Sequence, residues 1–173
     1  FSQPYLLYVG TVKPHKNVGA LIEAFELLAD KIPHDLVIAG KKEGFITSDD
    51  RAVKKAARLG GRVRFQGMAD PETLSLLYNH AELLISPSLC ESFGLIPLEA
   101  MACGCPVVIS DIDAHHEVCD DAAAYCDPKD PRDIADKIDF LIKHKGLREE
   151  MTRNGIERAR QFDWEKCAEE TSA

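Results

Sequence analysis

Ala81-Glu82-Leu83-Leu84-Ile85-Ser86-Pro87 is short, apolar and closed by a proline, the pattern of a buried strand. It runs into Ser88-Leu89-Cys90-Glu91-Ser92-Phe93-Gly94-Leu95-Ile96-Pro97-Leu98-Glu99-Ala100-Met101-Ala102-Cys103-Gly104. From Leu95 onward, Leu95, Leu98 and Ala102 recur at helical spacing, and Pro97 suits a first helical turn, where a missing N–H costs nothing. The segment predicts strand, loop and helix start. A helix start presents unpaired backbone N–H groups at the positive end of its dipole, which favours a phosphate or another anion. Gly94 has no side chain to keep a ligand away from that backbone.

The same alternation extends in both directions. Strands are predicted at residues 5–9, 36–39, 63–66, 106–109 and 122–126. Helices are predicted at 18–31, up to 59, 71–80, 130–144 and 147–162, with a polar loop at 41–49. Asn17 reads as the cap of the helix starting at Val18, whose buried face is Leu21, Ile22, Phe25, Leu28 and Ala29. Continuous apolar strands alternating with helices mean a parallel sheet covered on both faces, a doubly wound α/β fold. No linker, repeat or low-complexity segment breaks the chain, so residues 1–173 read as one domain. Ligands in such folds sit beyond the carboxyl ends of the strands, where the strand order reverses. Gly10, Gly40, Gly67 and Glu91 all follow strand ends and are expected on that rim.

Two carboxylates, Glu91 in the loop and Glu99 about one turn into the helix, bracket the helix start. Carboxylates hold phosphate poorly but accept hydrogen bonds from sugar hydroxyls well. Together with the helix start, they suit a ligand carrying both phosphates and hydroxyls, such as a nucleotide sugar. Spacing alone is equally consistent with two solvated acids near a favourable helix dipole. Lys16, in the loop after the first strand, is placed to offer its ammonium to a diphosphate, although an exposed lysine taken alone reads as a solvated residue.

Composition narrows the classes. With 173 residues, 45% hydrophobic and 29% charged, the chain suits a globular domain with a full core. A net charge of −8 argues against a nucleic-acid surface. No run of eighteen apolar residues offers a membrane span, and no basic and apolar leader is expected to act as a signal peptide. The opening Phe1-Ser2-Gln3-Pro4 reads as a cut end. None of the six cysteines, Cys90, Cys103, Cys105, Cys119, Cys126 and Cys167, forms a C-x-x-C pair, so they read as reduced thiols of a cytoplasmic protein.

Glu-Ser-Phe-Gly-Leu-Ile-Pro-Leu-Glu at 91–99, followed by Ala-Met-Ala-Cys-Gly-Cys-Pro-Val-Val, resembles the E-x7-E signature of retaining glycosyltransferases of the GT-B fold, most closely the group 1 family, family 4. The resemblance extends over nearly the whole chain. It implies a Rossmann-like half of a two-domain enzyme: the carboxyl-terminal domain that binds the nucleotide sugar, with the amino-terminal acceptor domain absent from this chain. The reaction implied is transfer of a hexosyl group from a nucleotide-diphosphate sugar to an acceptor hydroxyl of a glycan or lipid, with retention and without a metal. It assigns Glu91 to the transferred sugar and Glu99 to the ribose. The backbone of Phe93, Gly94 and Leu95 falls to the diphosphate together with Lys16. Gly10 and Thr11 belong to the family's diphosphate segment. Thr11 stands where many members carry an Arg, and Lys13 or His15 would be the replacement cation. Met68, after the third strand, takes the nucleobase role, or is simply a packing residue at a turn. Segments 10–17 and 110–127 are similar to mannosyltransferase-like members, which implies GDP-mannose as donor.

Asp111-Ile112-Asp113 has the D-x-D pattern used elsewhere for divalent ions, but reads here as a turn after a strand. Ala114-His115-His116-Glu117 is expected to be a loop, and its histidines loop residues rather than ligands. Phe162-Asp163-Trp164-Glu165 resembles the family's closing segment. Two other readings stay open: a nucleotide-sugar binding module without catalysis, and a GT-B-fold sugar-nucleotide epimerase.

Overall fold

The computed structural model describes residues 3–41 and 50–163. Most of the 41–49 loop and the positions Trp164, Glu165 and Cys167 lie outside them. Six strands form one sheet: β1 (Tyr5–Val9), β2 (Asp35–Ala39), β3 (Val63–Gly67), β4 (Leu83–Ser86), β5 (Val107–Ser110) and β6 (Ala124–Cys126). Their order is β3-β2-β1-β4-β5-β6, and every pairing is parallel. The helices are α1 (Val18–Leu28), α2 (Asp50–Arg58), α3 (Pro71–His80), α4 (Leu95–Ala102), α5 (Asp113–Cys119), α6 (Pro131–Lys143) and α7 (Lys145–Ala159).

The sheet is buried on both faces because alternate residues of apolar strands point to opposite sides. Leu6, Tyr8, Ile38 and Ile85 join Leu21 and Phe25 of α1 and Ile134 and Ile138 of α6 on one face. Leu7, Val37, Leu84 and Ile109 join Leu77 of α3, Met101 of α4 and Val118 of α5 on the other. A doubly wound α/β domain is therefore the observed architecture.

The predicted helices stand with modest changes of bounds: α1 stops at Leu28, and α7 runs from Lys145 to Ala159. The one correction of type concerns the segment after β5. Asp113, expected in a turn, and residues 114–117, expected as a loop, lie in α5. No side chain caps this helix, and adjacent histidines are weak helix formers, so local preference does not announce it. Burial of His115, Val118 and Cys119 on one face holds it instead. That i, i+3, i+4 spacing is helical once His115 is counted as an inward residue. Asn17 precedes α1 as expected, but its side chain makes no cap bond.

Backbone contact ties the ends of β1 and β2 together. Gly10 N–H donates to the Ala39 carbonyl at 2.9 Å, and Gly40 N–H donates to the Gly67 carbonyl at 2.7 Å. A Cβ on Gly40 would stand 2.0 Å from the Gly10 carbonyl oxygen, and its φ of +148° is already unsuited to an L side chain. Gly40→Ala is therefore expected to lower unfolding free energy by about 3 kcal/mol or more, read from denaturant unfolding of the two proteins.

Candidate functional site

The strand order reverses between β1 and β4, which opens a crevice at their carboxyl ends. Two loops meet there. The loop after β1 passes through a single 3-10 turn, Pro14–Lys16, to Asn17, whose φ of 58° is left-handed. Asn17 Nδ2 donates to the carbonyls of Pro87 at 3.0 Å and Pro128 at 2.6 Å. Leu89 N–H donates to the His15 carbonyl at 2.8 Å. These bonds pin the β1 loop against the β4 loop and against the segment after β6.

That docking brings Lys16 and Glu91 together. Lys16 Nζ donates to both carboxylate oxygens, at 2.7 and 2.8 Å. Their side chains are only 22% and 16% exposed, so neither is the solvated surface residue that spacing alone allowed. The ammonium expected to stand free is occupied by Glu91. Burial pushes the Glu91 carboxyl up, but the bonds from Lys16 and its charge outweigh it and hold it below its ordinary value. Tyr8, buried beneath, donates its hydroxyl to the Thr11 carbonyl at 3.2 Å, and burial with the Glu91 charge keeps that phenol un-ionised.

Glu91 leads into α4. Helices α3 and α6 are capped by Asp70 and Asp130, which accept from Thr73 N–H and Arg132 N–H at 2.8 and 2.9 Å. By contrast, α4 starts at Gly94, φ +114°, with no side-chain cap. The amides of Phe93, Gly94 and Leu95 thus open a helix whose positive end faces the rim. A Cβ on Gly94 would meet His115 Cδ2 at 3.4 Å. His115, fully buried in α5, is a site neighbour that sequence reasoning missed. Its neighbour His116 is exposed, lies 2.6 Å through Nε2 from Asp111 Oδ1, and stacks on Tyr125.

The remaining predicted residues divide between two cavities. Gly10, Thr11 and Met68 line one of about 250 Å³ with Ala39, Gly40 and Leu74, at the ends of β1, β2 and β3. Met68 is 80% exposed there, which excludes the packing alternative. Phe93, Leu95 and Glu99 line another of about 300 Å³ with Leu98 and Phe162, the Phe162 ring standing edge-on to Phe93. The Glu99 carboxylate accepts from Tyr78 Oη at 3.0 Å. Among the described residues, no three His, Cys, Asp or Glu side chains group closely enough to hold a metal ion, and Asp113 lies in the first turn of α5.

A doubly wound sheet with an uncapped helix start and a cation–carboxylate pair at its switch point is the class defined so far. Residues 2–158 match the family described as glycosyl transferases group 1, and the chain belongs to that family. It is 37% identical over 174 residues to O-antigen chain mannosyltransferase B of Escherichia coli, covering 98% of this chain and 45% of that protein. It is 32% identical to D-inositol 3-phosphate glycosyltransferase of Frankia alni, covering 94% and 42%. Sucrose-phosphate synthase from Thermosynechococcus elongatus superposes with a TM-score of 0.88 at 28% identity, over 99% of this chain and 44% of that one. The fold is also that of an Anabaena HepE structure in complex with UDP and glucose, with a TM-score of 0.84 at 23% identity, over 98% and 48%. The fold is thus one half of the GT-B arrangement, and the chain spans less than half the length of the curated relatives named here. No helix among the described residues is long and apolar enough to cross a membrane.

Lys16→Met leaves Glu91 half-buried without its cation. It is expected to cost about 1–3 kcal/mol of stability near neutral pH. Because the folded Glu91 pKa is depressed, the pair's contribution is present above the ordinary carboxylate range and lost as pH falls through the folded value. The difference between wild type and Lys16→Met in denaturant melts should therefore shrink in acid.

Proposed function

We propose that this chain is the nucleotide-sugar-binding domain of a retaining glycosyltransferase. It would present a hexosyl group from a nucleoside-diphosphate sugar to an acceptor hydroxyl held by a further domain. The observation that carries the reading is the Lys16–Glu91 pair at the uncapped start of α4, inside the crevice between β1 and β4. Retention, and GDP-mannose as the donor, belong to the same proposal. The first leans on the E-x7-E spacing of Glu91 and Glu99, the second on the relative named a mannosyltransferase at 37% identity.

The chemistry follows from the placement. A diphosphate at the start of α4 meets the amides of Phe93, Gly94 and Leu95 and draws Lys16 away from Glu91. These donors are fixed before reaction, and the charge that grows on the departing diphosphate strengthens its bonds to them. With that charge met by amides, helix dipole and ammonium, the proposal assigns no metal. Glu91, still ionised, is freed to accept from hydroxyls of the transferred sugar. Glu99, already an acceptor toward Tyr78, takes the ribose hydroxyls. Met68, in the cavity it lines with Gly10 and Thr11 of the diphosphate segment, takes the base. A cytoplasmic setting, with an acceptor glycan or lipid reached through the other domain, completes the reading.

Calorimetric titration of the 173-residue chain with UDP, GDP and ADP, with and without EDTA, tests the site. One nucleotide, GDP, is expected to bind equally in both conditions. Loss of binding in EDTA would overturn the metal-independent assignment, and binding of none would overturn the donor-site reading. In the full-length enzyme, Glu91→Ala is expected to lower turnover by roughly 100-fold or more, as loss of a group aimed at the reacting sugar does. Glu99→Ala is expected to weaken donor binding by about tenfold with a smaller effect on turnover. Steady-state kinetics that leave both variants at wild-type values would sink the two roles.

A further inference from the structure

One buried polar atom near the Lys16–Glu91 pair, Nε2 of His115 in α5, has no hydrogen-bond partner among the described residues. His115 has 0% exposure. An unmet acceptor or donor in such a place is costly, and native folds keep one for a reason. The imidazole is held in one orientation. Its Nδ1 lies 2.9 Å from the Ser110 carbonyl, which can only accept, so Nδ1 carries the hydrogen and the neutral ring keeps Nε2 as a bare acceptor. Cδ2, bonded to that nitrogen, packs at the Gly94 helix start.

Charged groups from three elements act on the ring. Glu91, from the loop after β4, favours its protonation, while Lys16, from the turn after β1, and His116, from α5 itself, oppose it. Burial is the largest influence and holds it below its ordinary value, so the ring is neutral while Lys16 stays on Glu91. Lys16 uses two donors on the two oxygens of Glu91, and a diphosphate that draws it away leaves a half-buried carboxylate short of its cation.

We infer that His115 is a positioning residue for Glu91: when Lys16 moves onto a bound diphosphate, Nε2 takes up one proton from solvent and shares it with the Glu91 carboxylate, keeping that carboxylate in place. The inference rests on the diphosphate-site reading. No covalent bond is made or broken beyond the proton gained, and the imidazolium then donates to Ser110 through Nδ1 and to Glu91 through Nε2. Glu91 thereby keeps a cationic partner in both states, and nucleotide binding is linked to proton uptake.

Two measurements on the 173-residue chain test this. The first is calorimetric titration with UDP, GDP and ADP near pH 7 in buffers of different ionisation enthalpy, which counts protons exchanged per nucleotide bound. Wild type is expected to take up more protons than His115→Gln, the difference approaching at most about one per site. Equal proton counts in two proteins that both bind would overturn the inference. The second needs no ligand: NMR titration of the His115 ring in wild type and in Lys16→Met. The His115 midpoint is expected to move to higher pH in the variant, and an unmoved midpoint would overturn the coupling, whether or not His115→Gln folds. Failure of all three nucleotides to bind removes the diphosphate reading and the switching step built on it, while the Lys16→Met comparison still decides whether Lys16, Glu91 and His115 are linked.

Discussion

All six strands run in one direction, and everything at the rim depends on that constraint. Parallel strands put all their carboxyl ends along a single edge, so each following loop emerges on the same side of the sheet. Between β1 and β4 the connections depart in opposite directions, and the gap left between them is where Lys16 meets Glu91. The two residues lie 75 positions apart in the chain. Only the adjacency of β1 and β4 makes them neighbours, and the bonds from Asn17 and Leu89 fix the two loops in contact.

Charge at this rim is balanced by partial burial. A carboxylate as covered as Glu91 is costly unless it is paired and hydrogen-bonded, and Lys16 meets the need with both of its oxygens engaged. The same economy appears at Glu99, where the Tyr78 hydroxyl donates to the carboxylate and burial keeps the phenol protonated. Both acids are thus acceptors held in fixed directions, which suits recognition of hydroxyl groups better than a solvated side chain would. With a net charge of −8 on the chain, an anion at this rim would have to be held by local donors, such as those at the start of α4, rather than by a general positive field.

Much of the architecture was legible because its signals are local. Apolar runs such as Leu36, Val37, Ile38 and Ala39, stopped by Gly40, announce buried strands, and the spacing of Leu21, Ile22, Phe25 and Leu28 announces α1. The signature around Glu91 and Glu99 marks the β4–α4 turn in the sequence itself. What was not legible is α5. Its residues lack a cap and a strong helical preference, and His115 stands where an apolar residue would have revealed the buried face. A histidine is read as polar in a pattern, yet here desolvation is met on one nitrogen by the Ser110 carbonyl and left unmet on the other.

Sequence by itself determined the alternation of strand and helix, the parallel sheet, the glycines at strand ends and the two glutamates at a helix start, because hydrophobic period, turn chemistry and motif spacing act within a few residues. Tertiary structure decided which charges touch. That Lys16 is paired rather than free, that Met68 faces a cavity, and that His115 lies buried near Glu91 depend on strand order and loop docking across many tens of residues. Distances of that kind are set by the packing of whole elements against the sheet, and no local pattern encodes them.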